Sequence, residues 1–127
     1  MHTDKEKHLL ADVSEKVIGC CYEVGNVLGG GFLEGVYENA LSVELTNRQI
    51  AHQRQVPVEV SYKGIPVGKY QPDFLFEERL VLEIKALRAL TGQHQAQVLN
   101  YLKATGLKVG LLVNFGSASV EVKRLVN

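Results

Sequence analysis

Residues 70–86 read YQPDFLFEERLVLEIKA and decide the fold, because they predict two apolar strands joined by a short polar turn at 77–79. A three-residue turn places Asp73 directly opposite Glu83, with Cβ atoms about 5 Å apart. The pairs that this register predicts are Phe76 with Leu80, Phe74 with Leu82 and Asp73 with Glu83. The hairpin therefore predicts two carboxylates that face each other in the middle of a sheet.

The second strand of this hairpin alternates between the two faces of the sheet. The side chains that face one way are Val81, Glu83 and Lys85, and those that face the other way are Leu80, Leu82, Ile84 and Ala86. Two opposed carboxylates repel each other unless one is protonated or a cation lies between them. Mg²⁺ and Mn²⁺ suit such a site, because they prefer carboxylate, carbonyl and water oxygens.

Lys85 lies on the same face as Glu83, two residues further along the strand. Its ammonium group would orient an attacking water or neutralise charge that develops on a phosphate oxygen. The alternative is a salt bridge between Lys85 and Glu83 on an exposed face, since Glu-x-Lys is a common pattern.

Outward from the hairpin, hydrophobic spacing predicts two helices and a strand before it, and a helix and two strands after it. Gly29-Gly30-Gly31 ends the first helix, because three glycines cost too much backbone entropy to continue it. The strand–helix–strand step after the hairpin predicts a right-handed parallel crossover. The order ααβββαββ indicates an α/β protein with a mixed sheet. The predicted segments are helices 4–28, 32–48 and 93–105 and strands 56–62, 65–76, 80–86, 107–113 and 120–126.

The composition is that of an ordinary globular protein, with 127 residues of which 46% are apolar and 22% charged. We predict a single domain over 1–127, because neither a linker nor a repeat interrupts it. The mixed charge of residues 1–7 predicts no signal peptide, and no apolar run is long enough to span a membrane. Cys20 and Cys21 are adjacent and cannot easily bridge each other, which indicates a reduced, cytoplasmic setting.

The formal net charge is zero, with 14 basic and 14 acidic side chains. Proteins that bind phosphate backbones usually carry a basic excess, so the balance counts mildly against nucleic acid as a partner. A site rich in carboxylates, however, lowers the net charge while its rim stays locally basic.

Two predicted helices carry further candidate site residues. Glu34 and Glu38 are four apart on the second helix, where either could act as an extra metal ligand or as an orienting group. The alternative for both is a solvated helix edge. His94, Gln97 and Tyr101 form an uncharged polar stripe on the third helix, for which the alternative is again a solvent face.

The chain resembles the PD-(D/E)XK nuclease superfamily in Pro72-Asp73 and, after nine residues, Glu83-Ile84-Lys85. Residues 31–38, GFLEGVYE, are similar to the motif that names the GxxExxY proteins, a branch of that superfamily. Further segments that resemble this branch are Tyr70–Asp73, Glu83–Ala86, His94–Leu102 and Gly110–Gly116. Single motifs are weak signals, but five in the right order over residues 10–125 are a strong one.

The resemblance implies a restriction-endonuclease-like core and a divalent metal ion, Mg²⁺ or Mn²⁺. It implies that Asp73 and Glu83 bind the metal, that the carbonyl of Ile84 is a further ligand, and that Lys85 handles the water. The motif glutamate is Glu34, and Glu38 is a second candidate for the acidic residue of the N-terminal helix. Gln97 and Tyr101 resemble a Q-x-x-x-Y motif, whose residues shape the site and contact the substrate.

The leading hypothesis is therefore metal-dependent hydrolysis of phosphodiester bonds in nucleic acid, with a slight preference for DNA over RNA. The first alternative is a non-catalytic accessory module with the same fold, which binds nucleic acid or protein. Hydrolysis of a small nucleotide-type phosphoester is the second alternative. A homodimer would widen the contact surface, although no residue pattern specifies one.

Overall fold

A computed structural model describes the backbone of residues 4–127 and the side chains of residues 10–127. The prediction that the chain has no signal peptide rests on residues 1–7, and these residues lie outside the part of the chain whose side chains are described. The helices are α1 (Asp4–Leu28), α2 (Glu34–Asn47) and α3 (Gly92–Thr105). The strands are β1 (Gln53–Arg54), β2 (Val58–Tyr62), β3 (Ile65–Tyr70), β4 (Phe74–Phe76), β5 (Leu80–Lys85), β6 (Val109–Asn114) and β7 (Glu121–Val126).

Five strands form a mixed sheet in the order β1-β4-β5-β6-β7. Strands β5 and β6 are parallel and are connected through α3, whereas the other neighbouring pairs are antiparallel. In the β4–β5 hairpin, Phe74 pairs with Leu82 and Phe76 pairs with Leu80. The predicted α/β class, the mixed sheet and the register of the hairpin are confirmed.

The predicted strand over 65–76 is divided into β3 and β4, and this detail of the predicted order is wrong. Strands β2 and β3 form a separate two-stranded sheet, and the two-residue strand β1 lies at the edge of the main sheet beside β4. Pro72 lies in the gap between β3 and β4, where it has no N–H to donate to a neighbouring strand. The chain therefore leaves one sheet and enters the other at this point.

The two faces of β5 belong to different parts of the core, as the alternation of its side chains predicts. Leu80, Leu82 and Ile84 pack into the cluster that α1 and α2 cover. Val81 packs into a second cluster, which the aromatic residues and leucines of β3 and α3 cover. Glu83 and Lys85 therefore lie on the face that the β2–β3 hairpin and α3 border.

Helix α1 places Cys20 and Cys21 inside the protein as free thiols. Burial raises the pKa of both thiols, which disfavours the reactive thiolate.

Within the described residues, none of the helices combines the length and the apolar character needed to cross a bilayer.

Tyr37, the tyrosine of the GFLEGVYE segment, ties the glycine turn after α1 to the core. Its hydroxyl donates to the Gly29 carbonyl at 2.7 Å and accepts from the Phe32 amide at 3.3 Å. The ring is fully buried and stacks on Phe115 at a centroid distance of 4.7 Å. The residue therefore has a structural role in joining the start of α2 to β6.

Replacing Tyr37 with phenylalanine should lower the free energy of unfolding by about 1–2 kcal/mol, because the Gly29 carbonyl and the Phe32 amide lose a partner. Urea unfolding monitored by circular dichroism measures the change. Tyr62→Phe is the matched control, since its side chain is largely exposed on the hairpin and should leave the midpoint unchanged. An unchanged midpoint for Tyr37→Phe would show that water replaces both bonds.

Candidate active site

Asp73 lies just before β4, with its carboxylate against the backbone of β5. Oδ2 accepts the Ile84 amide at 2.6 Å, and Oδ1 accepts the side-chain amide of Gln55 at 3.1 Å. Burial raises the pKa of Asp73, whereas these two hydrogen bonds oppose the rise. The negative charge of Glu38 raises it further. The backbone amide of Ile84 in β5 and the side-chain amide of Gln55 therefore fix the position of the carboxylate.

Glu83 projects from β5 toward the half-buried space between the sheet and α3. Burial and then the charge of Asp73 raise the pKa of Glu83 from 4.5 to about 7, while Tyr70 and Lys85 oppose that rise. The positive charge of Lys85 also favours the charged form of Asp73. Burial and the charge of Lys85 therefore act in opposite directions on both acids.

The backbone of β5 offers a third oxygen toward the same space. The Lys85 carbonyl accepts the Phe115 amide at 2.9 Å and thus points toward β6. Because successive peptide groups of a strand point in opposite directions, the polar groups of Ile84 point toward Asp73. Extending the hairpin register would place Pro72 opposite Ile84, and proline has no N–H to donate to that carbonyl. The Ile84 carbonyl is thereby left available beside Asp73.

Tyr70, at the end of β3, is a site residue that the sequence interpretation missed. The residue is 5% exposed, and among the described residues its buried hydroxyl has no partner at normal hydrogen-bond geometry. Burial and the nearby charge of Glu83 raise the pKa of this hydroxyl. The sequence signal was an aromatic residue three positions before Asp73, which also suits an ordinary core position.

Of the two candidate glutamates on α2, Glu38 lies beside Asp73 and Glu34 is exposed in the first turn. Glu38 Oε1 accepts the same Gln55 amide that contacts Asp73, at 3.0 Å. Its Oε2 accepts Arg54 Nη2 at 2.7 Å. Arg54 and Gln55 follow no motif, and sequence reasoning had no signal with which to select them.

On α3, the structure separates the three residues of the predicted polar stripe. Tyr101 stacks on Tyr70 at a centroid distance of 4.4 Å and thereby borders the space around Glu83. Gln97 is exposed at the outer rim. The His94 ring accepts the Thr91 amide at 3.0 Å and stabilises the start of the helix, which is a local role.

The donor set suits a hard divalent cation, because it consists of the carboxylates of Asp73 and Glu83 and a backbone carbonyl. The buried Tyr70 hydroxyl, for which the described residues offer no partner at normal hydrogen-bond geometry, adds a polar group near Glu83. Among the residues that the structure describes, no three His, Cys, Asp or Glu side chains cluster closely enough to hold a metal alone. A divalent cation at this place would therefore have only a few protein ligands and would complete its shell with waters.

A buried asparagine fixes the segment that follows Lys85. Asn114 is 0% exposed; its Oδ1 accepts the Leu87 amide at 2.8 Å, and its Nδ2 donates to the Leu87 carbonyl at 2.9 Å. Asn114 Nδ2 also donates to Glu121 at 2.9 Å. The end of β5, and with it Lys85, is thereby attached to β6 and β7.

In metal-free protein, the free energy of unfolding should fall as the pH rises from 4.5 to about 7. The pKa of Glu83 is raised in the folded state, so its stabilising contribution is complete below 4.5 and is lost as the pH passes through 7. The expected fall is up to about 3 kcal/mol, at roughly 1.4 kcal/mol for each pKa unit.

Urea unfolding in EDTA at the two ends of this pH range measures the fall, and Glu83→Gln should remove most of it. Glu78→Gln, in the exposed hairpin turn, is the control that should keep the wild-type dependence. A pH dependence that is the same in the wild type and in Glu83→Gln would contradict the prediction.

The sequence and the fold of the chain are similar to those of known proteins. A sequence profile of the PD-(D/E)XK nuclease superfamily matches residues 11–125. None of the curated proteins is significantly similar to the chain in sequence. The crystal structure of SSO0001 has a similar fold, with a TM-score of 0.56 at 22% sequence identity. That similarity covers 73% of this chain and 49% of the other, so the chain spans about half the length of SSO0001.

Proposed function

Because the chain belongs to the PD-(D/E)XK nuclease superfamily, we propose that it hydrolyses phosphodiester bonds of nucleic acid with a bound Mg²⁺ or Mn²⁺ ion. The observation that carries the proposal is the contact of the Asp73 carboxylate with β5, the strand that carries Glu83 and Lys85, together with the burial that raises the pKa of both acids. A divalent cation would favour the charged forms of both acids, whose pKa values are raised mainly by burial.

The residues would divide the work as follows. Asp73, Glu83 and the Ile84 carbonyl would hold the ion, which would stabilise the negative charge that develops on the phosphate. Lys85 would orient the attacking water, since it shares a face of β5 with Glu83 and its charge favours the ionised form of both acids. The Tyr70 hydroxyl would donate a hydrogen bond to Glu83 and keep its carboxylate turned toward the ion.

The finer assignments belong to the same proposal. Membership of the GxxExxY branch rests on Gly31, Glu34 and Tyr37, of which Tyr37 has the structural role described above. We propose DNA as the preferred substrate, a cytoplasmic location, one domain over 1–127 and a homodimer as an arrangement that would extend the contact surface. Gln97, exposed at the rim beside Tyr101, would contact substrate rather than metal.

A non-catalytic accessory module is the second candidate function. The observation that favours it is the formal net charge of zero, which gives a phosphate backbone little long-range attraction. In that case the purified protein would bind a nucleic acid or protein partner without hydrolysing phosphodiesters.

The experiment that tests the proposal is cleavage of labelled single- and double-stranded DNA and RNA in Mg²⁺ or Mn²⁺, with EDTA as the blank. Asp73→Asn should lose both cleavage and metal binding, and it keeps the size of a side chain that Ile84 and Gln55 contact. Glu78→Gln provides a matched carboxylate-to-amide control. Folded wild-type protein that cleaves none of the four substrates in either metal would favour the accessory module.

A further inference from the structure

We propose that Gln55 is a positioning residue, whose side-chain amide, also bonded to Glu38, holds the carboxylate of Asp73 in the orientation that binds the metal ion. The inference rests on the proposed function and adds a residue to it. It concerns a position outside every motif of the sequence, on the connection between β1 and β2.

The contacts of Gln55 converge on Asp73 from two directions. Its backbone N–H donates to the Asp73 carbonyl at 3.2 Å, and its Nε2 donates to Asp73 Oδ1 at 3.1 Å. The same Nε2 donates to Glu38 Oε1 at 3.0 Å. One NH₂ group therefore bridges an acid of α2 and an acid of the hairpin, which would otherwise repel each other.

A neighbouring side chain fixes which end of the Gln55 amide faces the acids. Gln71 Nε2 donates to Gln55 Oε1 at 3.2 Å, so the NH₂ group turns toward Glu38 and Asp73. Arg54 holds the other oxygen of Glu38 and lies over the Phe74 ring, with its guanidinium carbon 5.8 Å from the ring centroid. The segment at 54–55 thus joins Glu38 to the start of β4.

The backbone of Gln55 is in the left-handed region, with φ of 56°. A non-glycine residue pays a conformational cost there, and such strain tends to persist where the surrounding contacts require it. The left-handed turn is what allows one residue to direct both its backbone N–H and its side chain at Asp73. A glycine at this position would adopt the same backbone more easily but could not bridge the acids.

Hydrogen bonds to metal-binding carboxylates orient them, and their loss typically weakens metal binding by 10- to 100-fold. Gln55→Gly should therefore weaken Mn²⁺ binding by about this factor. The free energy of unfolding of the metal-free protein should change little. Glycine adopts the left-handed backbone conformation at lower cost than glutamine, and this gain offsets the lost hydrogen bonds. A residue with a merely structural role would show the opposite result, with lower stability and unchanged metal affinity.

The test is isothermal titration of Mn²⁺ into wild-type protein, Gln55→Gly, Asp73→Asn and Gln49→Gly, beside urea unfolding of each. Gln49 is the matched control, since it is also an exposed glutamine with a left-handed φ of 59° and its backbone amide bonds to Thr46, away from the site. Gln55→Met, which keeps the length of the side chain and removes the donor, replaces Gln55→Gly if that variant fails to fold. If Gln55 acts through Glu38, Gln55→Gly should weaken Mn²⁺ binding by a smaller factor in a protein that already carries Glu38→Gln.

The outcomes separate this inference from the proposed function. The inference is supported if Mn²⁺ binding is weakened tenfold or more in Gln55→Gly and is unchanged in Gln49→Gly. Affinity within threefold of wild type in Gln55→Gly, together with lost binding in Asp73→Asn, overturns the role of Gln55 and leaves the metal site in place. A wild-type protein that binds no Mn²⁺ overturns both.

Discussion

Replacing Lys85 with methionine is expected to lower the rate of nucleic-acid cleavage by about a thousandfold, within the range that positioned charges and proton-transfer groups contribute. Methionine keeps much of the length of the lysine stem but cannot orient a water or stabilise negative charge. The metal ligands proposed above stay in place, because the Lys85 backbone carbonyl still accepts the Phe115 amide. Lysine removal should therefore affect the reaction far more than metal binding.

Single-turnover cleavage and Mn²⁺ titration of the same preparation measure the two effects. Lys63→Met is the control, because Lys63 lies exposed at the tip of the β2–β3 hairpin. A rate within tenfold of wild type for Lys85→Met would remove Lys85 from the proposed chemistry. A parallel loss of metal binding and cleavage would instead show that the lysine supports the ion site, as a structural partner of the acids.

Replacing Gly116 with alanine is expected to lower the free energy of unfolding by about 3 kcal/mol or more, at the upper end of the cost of overpacking. The added Cβ would overlap backbone atoms of Ala86 and Leu87. Backbone atoms cannot move aside by changing a rotamer, so the segment after Lys85 would have to shift. The two hydrogen bonds between Asn114 and Leu87 would be lost or distorted with it.

Urea unfolding measures this loss, and Gly35→Ala is the matched control. Among the residues with described side chains, none has an atom within 4 Å of a Cβ at Gly35, and alanine is the better helix former. The control should be as stable as the wild type or slightly more stable. A Gly116→Ala protein as stable as wild type would mean that the segment after β5 can relax without cost.

The sequence alone was enough to predict the β4–β5 hairpin and the orientation of its side chains. The polar turn at 77–79 sets the pairing of the two strands, and the two-residue period of a strand then sends Glu83 and Lys85 to one face. Both rules act over a few residues, so they need no knowledge of the rest of the chain. Apolar spacing and the glycines after Leu28 similarly predicted the bounds of α1, whereas the predicted bounds of α2 and α3 differ from the observed ones by one or two residues.

The tertiary structure decided which side chains meet at the hairpin. Glu34 and Glu38 are equivalent in a sequence, and only the packing of α2 beside Arg54 and Gln55 brings Glu38 to Asp73. The segment Tyr70–Asp73 drew attention to Tyr70, but its burial near Glu83 was not evident, because an aromatic residue at the end of a strand also suits an ordinary core.

Two further features depend on contacts between distant parts of the chain. The predicted strand over 65–76 divides at Pro72, which has no backbone N–H to donate to a neighbouring strand. Strands β2 and β3 form a sheet of their own, which packs on α3. The raised pKa of Glu83 arises mainly from burial, which depends on every element around it. Local patterns thus determined the secondary structure and the acids of the hairpin, whereas the surroundings of those acids depended on long-range packing that no short pattern encodes.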